Sequence, residues 1–570
     1  MPAEEQPQEV VCTYDPLLAL MAKFEHVKTV STGADAFAGL SVEDALKKHI
    51  IDGIKKNLEA RLGTALETYE PLQIINDILL DGMKTVGELF GAGKMQLPFV
   101  LQSAEVMKTA VRFLEPLMEK VEGSDKGSIL LATVAGDVHD IGKNLVDIIL
   151  SNNGYRVVNI GIKQPIGNII DKTQEHACQV IGLSGLLVKS TLIMRDNLLE
   201  LNDRGLWHYP VILGGAALTR GYVEQDLRAI YQGRVFYAQD AFEGLRLMEE
   251  LGSGGNGRGV PPLDEASAQE PADADPVNQR LPSHRVGVVD PQLYVFDGVT
   301  SDVDRRVEPP KLPFYGARKH TKFDLFEIYK YINTTALWRG QWQFKRPEGV
   351  DNVGFNAYLE EHAAPVFERH KRELASVLKP RVKWGYFPCN SEGNDLIVWH
   401  EDGQSERLRF TFPRQRDGRR LCISDFFRPV GTGPDVVAFH IVTVGSEVSA
   451  YERELFARGE FQDYLYVHGM GVETAEALAE YWHRQIRIEL GIDDREPEDV
   501  KGLFGVKYRG ARYSFGYPAC PNLEDQTKLF ELLEPGDIGI ELSEEFMLVP
   551  EQSTSAVIVH HPEAKYFNVR

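Results

Sequence analysis

Two short stretches concentrate the side chains able to do chemistry in this 570-residue chain. The first is Gly136-Asp137-Val138-His139-Asp140-Ile141-Gly142-Lys143-Asn144, where a carboxylate precedes an imidazole by two residues and glycines flank the polar turn. An imidazole so placed can ligate a metal through one ring nitrogen and bond a carboxylate through the other. The second is Arg512-Tyr513-Ser514-Phe515-Gly516-Tyr517-Pro518-Ala519-Cys520-Pro521. There an Arg and a Tyr stand five apart across a glycine, suited to a carboxylate and to a purine or sulfonium in one turn. Glu476, Glu480 and His483 recur at helical spacing. That spacing suits a metal, but more simply a solvated face or a subunit contact. Cys520 has no His/Asp frame and reads as structural.

The elements that must position these residues follow from the pattern of apolar residues. Residues 40–122 carry helical periodicity, with Met83, Val86 and Phe90 on one stripe and Leu97, Val100, Leu101 and Ala104 on another, separated by Gly91 and Gly93. From Ser128 the pattern changes to five buried-type strands (129–134, 156–160, 179–184, 210–214, 234–237) alternating with helices at 141–152, 166–177, 190–203, 219–231 and 240–250. That alternation predicts a doubly wound parallel sheet with ligands at the carboxyl ends of its strands. Those ends carry the His motif, Gly182-Leu183-Ser184-Gly185-Leu186-Leu187-Val188-Lys189-Ser190, and Leu213-Gly214-Gly215. Glycines and small hydroxyls there suit a deep slot for a long ligand. No GxGxxG dinucleotide fingerprint is present. Residues 251–283, rich in Gly, Pro, Ala and acidic residues, read as a flexible tether. Beyond it, helices are expected at 357–378 and 473–490 and strands at 394–413 and 437–444, an α+β pattern without a definite topology.

Composition bounds the function. Hydrophobic content of 43% and charged content of 26% are ordinary for a globular chain, and the net charge is −22. An acidic balance argues against a broad nucleic-acid surface and against an anionic membrane face. Five dispersed cysteines (12, 178, 389, 422 and 520) without a CxxC pair fit a reducing interior better than a disulfide framework or a structural zinc site. The acidic start MPAEEQPQEV lacks the order of a signal peptide, and no apolar run nears the ~20 residues of a membrane span. A cytoplasmic location is expected.

Together, DxHxxG at the first strand, SxL at the third and GG at the fourth, after a helical bundle, resemble the cobalamin-binding module of cobalamin-dependent methyltransferases. The RxxxGYPACP stretch, with Ala477-Leu478-Ala479-Glu480-Tyr481 and His561-Pro562-Glu563-Ala564-Lys565-Tyr566, resembles the reactivation domain of cobalamin-dependent methionine synthase. The resemblance implies a multidomain chain: a helical bundle cap (35–124), a flavodoxin-like doubly wound α/β domain (125–250), the tether (251–283) and a larger α+β domain (284–570). It implies that His139 ligates cobalt of cobalamin (methylcobalamin) in place of the cofactor's own lower base, with Asp137 and Ser190 completing a relay. An imidazole freed from the metal can then take up a proton whose charge Asp137 stabilises. Gly136, Val138, Asp140 and Ala241 would border the cofactor, and its nucleotide tail would lie near Ser184, Gly214 and Gly215. Phe90 and Leu97 match the apolar residues that shield the upper face of the corrin. Asn76 and Val188 stand where a glutamate and a threonine are usual. For S-adenosylmethionine, Arg512 would bind the carboxylate, and Gly516, Tyr517, Tyr566 and Phe567 would line the site. Asn333 matches an aspartate that meets the ligand amine, and Glu476 an acidic residue near the reactivation site. The implied activity is methyl carriage with reductive remethylation, as part of methionine synthesis from homocysteine and methyltetrahydrofolate. The barrels for those two substrates are not found in this sequence, so they are expected as other domains or chains, beside a flavodoxin-like reductase. A non-catalytic cobalamin carrier or sensor is the alternative.

Overall fold

The computed structural model describes residue 37 and residues 39–117, 126–252, 291–347, 349–494, 496–497, 500–505 and 507–569. The tether expected at 251–283 lies outside the described residues from 253 onward. Helices of eight or more residues are labelled here.

The first half opens with α1 (Val42–Ile51), α2 (Leu58–Ala65), α3 (Leu80–Gly91, entered through a π-helical turn Ile74–Leu79) and α4 (Leu97–Leu114). Pro98 sits in the first turn of α4, where its missing N–H costs no helical hydrogen bond. Of the expected stripes, Met83, Val86 and Val100 are buried in the bundle core, whereas Leu97, Leu101 and Ala104 pack outward against Leu145 and Ile148 of the next domain. That core continues into Ile149, Ala241, Phe242 and Leu245 of the next domain.

The sheet domain alternates β1 (Ser128–Thr133), α5 (Ile141–Asn152), β2 (Arg156–Asn159), α6 (Ile166–Glu175), β3 (Val180–Ser184), α7 (Val188–Asp203), β4 (Val211–Gly214), β5 (Val235–Tyr237) and α8 (Ala241–Gly252). The strands are parallel in the order β2-β1-β3-β4-β5, the doubly wound arrangement expected. All six residues of β1 are buried because both faces are covered. Leu130 and Ala132 face α6 and α7, while Ile129 and Leu131 face α5 and α8. The helix expected at 219–231 forms instead as a π-helical turn, Tyr222–Leu227, followed by a single α turn.

The second half is built on one sheet. Its strands are β6 (Gly316–His320), β7 (Arg381–Glu392), β8 (Asp395–Trp399), β9 (Glu406–Thr411), β10 (Asp435–Thr443), β11 (Ala511–Ser514) and β14 (Ser553–Val559). They run antiparallel in the order β11-β14-β10-β7-β8-β9, with β6 also on β7. The strand expected at 394–413 is the β8–β9 hairpin. The expected helix 357–378 divides into α9 (Asn352–His362) and α10 (Ala364–Glu373), because Pro365 cannot continue the first helix. After α11 (Glu447–Arg458), α12 (Phe461–Glu489) runs 29 residues along one sheet face, and α13 (Asp525–Leu533) lies on the other. A two-stranded hairpin, β12 (Glu541–Leu542) and β13 (Leu548–Val549), projects from the domain.

The ends of β3 and β4 touch so closely that only glycine fits. Gly215 has φ +144°, and a Cβ there would lie 1.8 Å from the Gly185 carbonyl oxygen. Gly215→Ala should therefore destabilise the sheet domain by at least ~2 kcal/mol. The check is thermal unfolding, and an unchanged midpoint would show that the strand ends are not so constrained.

Candidate functional site

The β1–α5 turn places Asp137 at the carboxyl end of β1, fully buried, with His139 beside it. Asp137 is saturated with donors. Its Oδ1 accepts from His139 Nδ1 at 2.7 Å and from the His139 backbone N–H at 3.0 Å. Its Oδ2 accepts from Ser190 Oγ at 2.5 Å and from the Leu186 backbone N–H at 2.8 Å. Burial alone would raise this carboxyl, but the bonds from His139 and Ser190 hold it below the ordinary aspartate value. Burial likewise opposes charge on His139, yet Asp137 outweighs it and lifts the ring above the ordinary histidine value. With Nδ1–H committed to Asp137, Nε2 carries the lone pair. The His139 side chain is 21% exposed, so the ring can meet a ligand. This is the donor set a metal-ligating imidazole needs, held in one tautomer by a carboxylate behind it.

The other residues singled out around this turn fall into two groups. Gly136, Val138, Asp140, Ser184, Gly214 and Gly215 all lie on the strand ends around His139, with Asp140 at the head of α5. Phe90, Leu97 and Ala241 gather elsewhere, in an apolar cluster on α5 with Leu145, Ile148, Phe461 and Leu465. There Phe90 stacks on Phe242 at 4.4 Å. In this arrangement the bundle shields helix faces rather than the strand ends. Asn76 is exposed in the π-helical turn of the bundle. Val188 begins α7.

What covers the strand ends is the second domain. The hairpin tip Ser543–Met547 presses Glu545 onto Gly136, where a Cβ would lie 1.8 Å from Glu545 Cγ. Lys189 pairs with Glu545, and its Nζ sits 5.0 Å above the Phe546 ring. Asn144 Nδ2 donates to Tyr464 Oη on α12 at 2.8 Å. Behind this contact His468 lies 3.6 Å from Glu452 and 3.9 Å from Glu551. The charges of Glu551 and His468 both act on His139. Burial would lower His468, but Glu452 and Glu551 raise it to about 9, while burial lifts Glu551 to about 7. Glu452, His468, Glu545 and Glu551 carry no local signal in the sequence. Only the docking of two domains makes them neighbours of the His139 turn.

The second constellation centres on Arg512 of β11. Its Nη2 is 3.4 Å from Glu476 and 3.6 Å from Glu480, both on α12. Gly516, at φ +89°, opens a tight turn in which its N–H donates to the Cys520 carbonyl at 2.8 Å. That turn leaves the Tyr517 ring 56% exposed, and Tyr566 is 55% exposed. Phe567 is buried against Phe426 and Tyr513, so it supports the site from the core rather than lining it. Asn333 Oδ1 accepts from the backbone of Thr335 and Ala336 at 3.1 and 3.2 Å, and so caps a short helical turn. The solvated-face reading of Glu480 and His483 is corrected: both are buried, because α12 turns this face onto the sheet. Among the described residues no cluster of three or more His, Cys, Asp or Glu side chains is arranged to hold a metal ion. Nor is any helix among them long and apolar enough to cross a membrane.

Three families of known proteins match separate parts of the chain. Families described as B12 binding domains match residues 42–115 and 127–246. The family described as the vitamin B12 dependent methionine synthase activation domain matches residues 324–570. A methionine synthase of Mycobacterium tuberculosis is 48% identical, over 98% of this chain and 49% of its own length. One from Mycobacterium leprae is 47% identical, with the same shares covered. A crystal structure described as the MetH reactivation domain bound to AdoHcy is 26% identical, over 47% of this chain and 85% of its own, with a TM-score of 0.42. The chain spans about half the length of the curated relatives it matches. The first half thus resembles B12 binding domains, and the second half the activation domain of vitamin B12 dependent methionine synthase.

The His468 cluster gives the docked state a pH dependence. A histidine raised from 6.5 to about 9 contributes stability that is fully present below 6.5 and lost as pH climbs through 9. Between pH 7 and 9 the ligand-free chain should lose roughly 2 kcal/mol of stability from this group. His468→Gln should flatten the denaturant midpoint over that window. Identical slopes in both proteins would contradict the assignment.

Proposed function

We propose that the chain carries a methyl group on protein-bound cobalamin and restores that cofactor by reductive remethylation from S-adenosylmethionine. This is one part of methionine synthesis from homocysteine and methyltetrahydrofolate in a cytoplasmic setting. The observation that carries the reading is the Ser190–Asp137–His139 chain, assembled at the strand ends and facing the domain that holds Arg512. Bound cobalamin supplies the cobalt centre that accepts and gives up the methyl group.

The residues of the chain do the rest. His139 would hold the cobalt through Nε2, while Asp137 fixes the ring and its tautomer. When Nε2 is free, a proton taken up there is balanced by the Asp137 carboxylate, whose charge Ser190 and the Leu186 N–H hold in place. Gly136, Val138 and Asp140 border the corrin, and Ser184, Gly214 and Gly215 receive the nucleotide tail. Asn76, Val188, Ala241, Phe90 and Leu97 complete the cofactor surroundings when the bundle lies over the strand ends, with Phe90 and Leu97 excluding water from the methyl group. In the second domain Arg512 binds the carboxylate of S-adenosylmethionine. Tyr517 and Tyr566 offer ring faces to the purine and the sulfonium, Gly516 shapes the turn, and Phe567 backs it. Asn333 and Glu476 stand toward the ligand amine. Homocysteine and methyltetrahydrofolate are handled by further domains or chains, and a flavodoxin-like reductase supplies the electron.

Two substitutions test the two halves. His139→Gly should leave cobalamin bound but abolish the absorption spectrum of the imidazole-ligated cofactor, and an unchanged spectrum removes His139 from its role. Arg512→Ala should weaken S-adenosylmethionine binding about 30-fold or more and stop remethylation under reducing conditions. Retained remethylation refutes the second site.

A further inference from the structure

We propose that His483, backed by Glu480, is the positioning residue that holds the Arg512 guanidinium for a ligand carboxylate. The inference rests on the reading above, in which Arg512 takes the carboxylate of S-adenosylmethionine, and adds what orients the arginine.

Strand register places the participants on one face. His440 on β10 lies opposite Ala556 of β14, and Ala556 lies opposite Ser514 of β11. Arg512 is two residues from Ser514, so its side chain shares that face with His440. Ile558, directly opposite Arg512, belongs to the core between this face and α12. From α12, Glu476, Glu480, His483 and Arg487 project toward it at helical spacing. His483 meets the Tyr508 ring edge-on at 5.4 Å, and the Arg487 guanidinium lies 3.8 Å over the same ring.

Hydrogen-bonding capacity around Arg512 is unevenly spent. Glu480, His483 and His440 are 7%, 0% and 1% exposed. Arg512 Nη1, Glu480 Oε1, His440 Nδ1 and both ring nitrogens of His483 are buried without a protein partner. Buried polar atoms are almost always satisfied, directly or through an ordered water. Arginine only donates and a carboxylate only accepts, so the two can pair directly, but Arg512 Nη1 and Glu480 Oε1 do not meet here, and a group that both donates and accepts can link them. A neutral imidazole is such a group. His483 is kept neutral by burial first, and then by the Arg487 and Arg512 charges around it. Its lone pair can take an N–H from Arg512 Nη1, and its own N–H can satisfy Glu480 Oε1, each through one buried water. Arg487 spends Nε and Nη2 on Glu496 and its Nη1 is also buried without a protein partner, but with no lone pair it cannot accept from Arg512. Glu476 and Glu480 draw on Nη2 while His483 steadies Nη1. The guanidinium is then fixed in orientation, and its 22% exposed side chain meets the ligand as a rigid fork rather than a loose charge.

The test compares two nucleosides that differ at the amino-acid end. S-adenosylhomocysteine carries the carboxylate; 5′-methylthioadenosine has the same nucleoside and thioether without it. Binding to the full chain is measured by calorimetry for wild type, His483→Leu and His483→Gln, with circular dichroism confirming the fold. His483→Leu should weaken S-adenosylhomocysteine about tenfold or more and leave methylthioadenosine within about twofold. His483→Gln, whose amide both donates and accepts, should recover most of the loss. If the leucine variant does not fold, Glu480→Ala should give the same selective loss. Equal losses for both nucleosides, or none for either, overturn the positioning role while leaving Arg512's role standing. A wild-type chain that binds neither compound overturns the functional reading and this inference with it.

Discussion

A single buried carboxylate organises the first half of this chain. Asp137 receives four hydrogen bonds from three elements: the β1–α5 turn, the loop after β3, and the start of α7. A buried carboxylate so supplied stays ionised, and leaving it short of donors would cost several kcal/mol. The strand ends and the imidazole are therefore tied to one charge. His139 owes its tautomer, its orientation and its raised basicity to that charge, and the close approach of Gly185 and Gly215 keeps the loops that supply it in place.

The second half meets this centre with charge of its own. The β12–β13 hairpin sets Glu545 on Gly136 and Lys189, and α12 brings Tyr464 and His468 up to the same turn. The groups facing His139 from across the interface include a carboxyl and a second histidine, both buried and both displaced from their ordinary ionisation. The protonation of His139 is thus felt by the second domain, and proton uptake at His139 and the contact between the domains become linked equilibria.

Much of this was legible in the sequence, for physical reasons that can be named. β1 read as a strand because a doubly covered strand is apolar throughout, and the His motif stood out because Asp137 and His139 are local neighbours. Ser190 lies 53 positions from Asp137, and only the resemblance joined them. Reading failed where backbone and packing overrode propensity. α12 begins at Phe461 rather than near 473, because Gly469 and Gly471 weaken the helical signal. The structure uses Gly469 to admit Trp342, whose atoms would lie 2.8 Å from an added Cβ. Glu480 and His483 read as a solvated face because periodicity reports a polar stripe and not what the stripe meets. Here it meets Arg512. The hairpin tip gives no local sign that it will seat on Gly136.

The claim on which the rest depends is that Nε2 of His139 is the lower ligand of the cofactor. Electron paramagnetic resonance of the cobalt(II) form bound to the chain tests it directly, because an axial nitrogen splits the cobalt lines. With ordinary nitrogen each line is a triplet. In a chain whose histidines alone carry nitrogen-15, bound to unlabelled cobalamin, the triplet should become a doublet. A triplet that survives the labelling would mean that the cofactor keeps its own base and that His139 does not touch the metal.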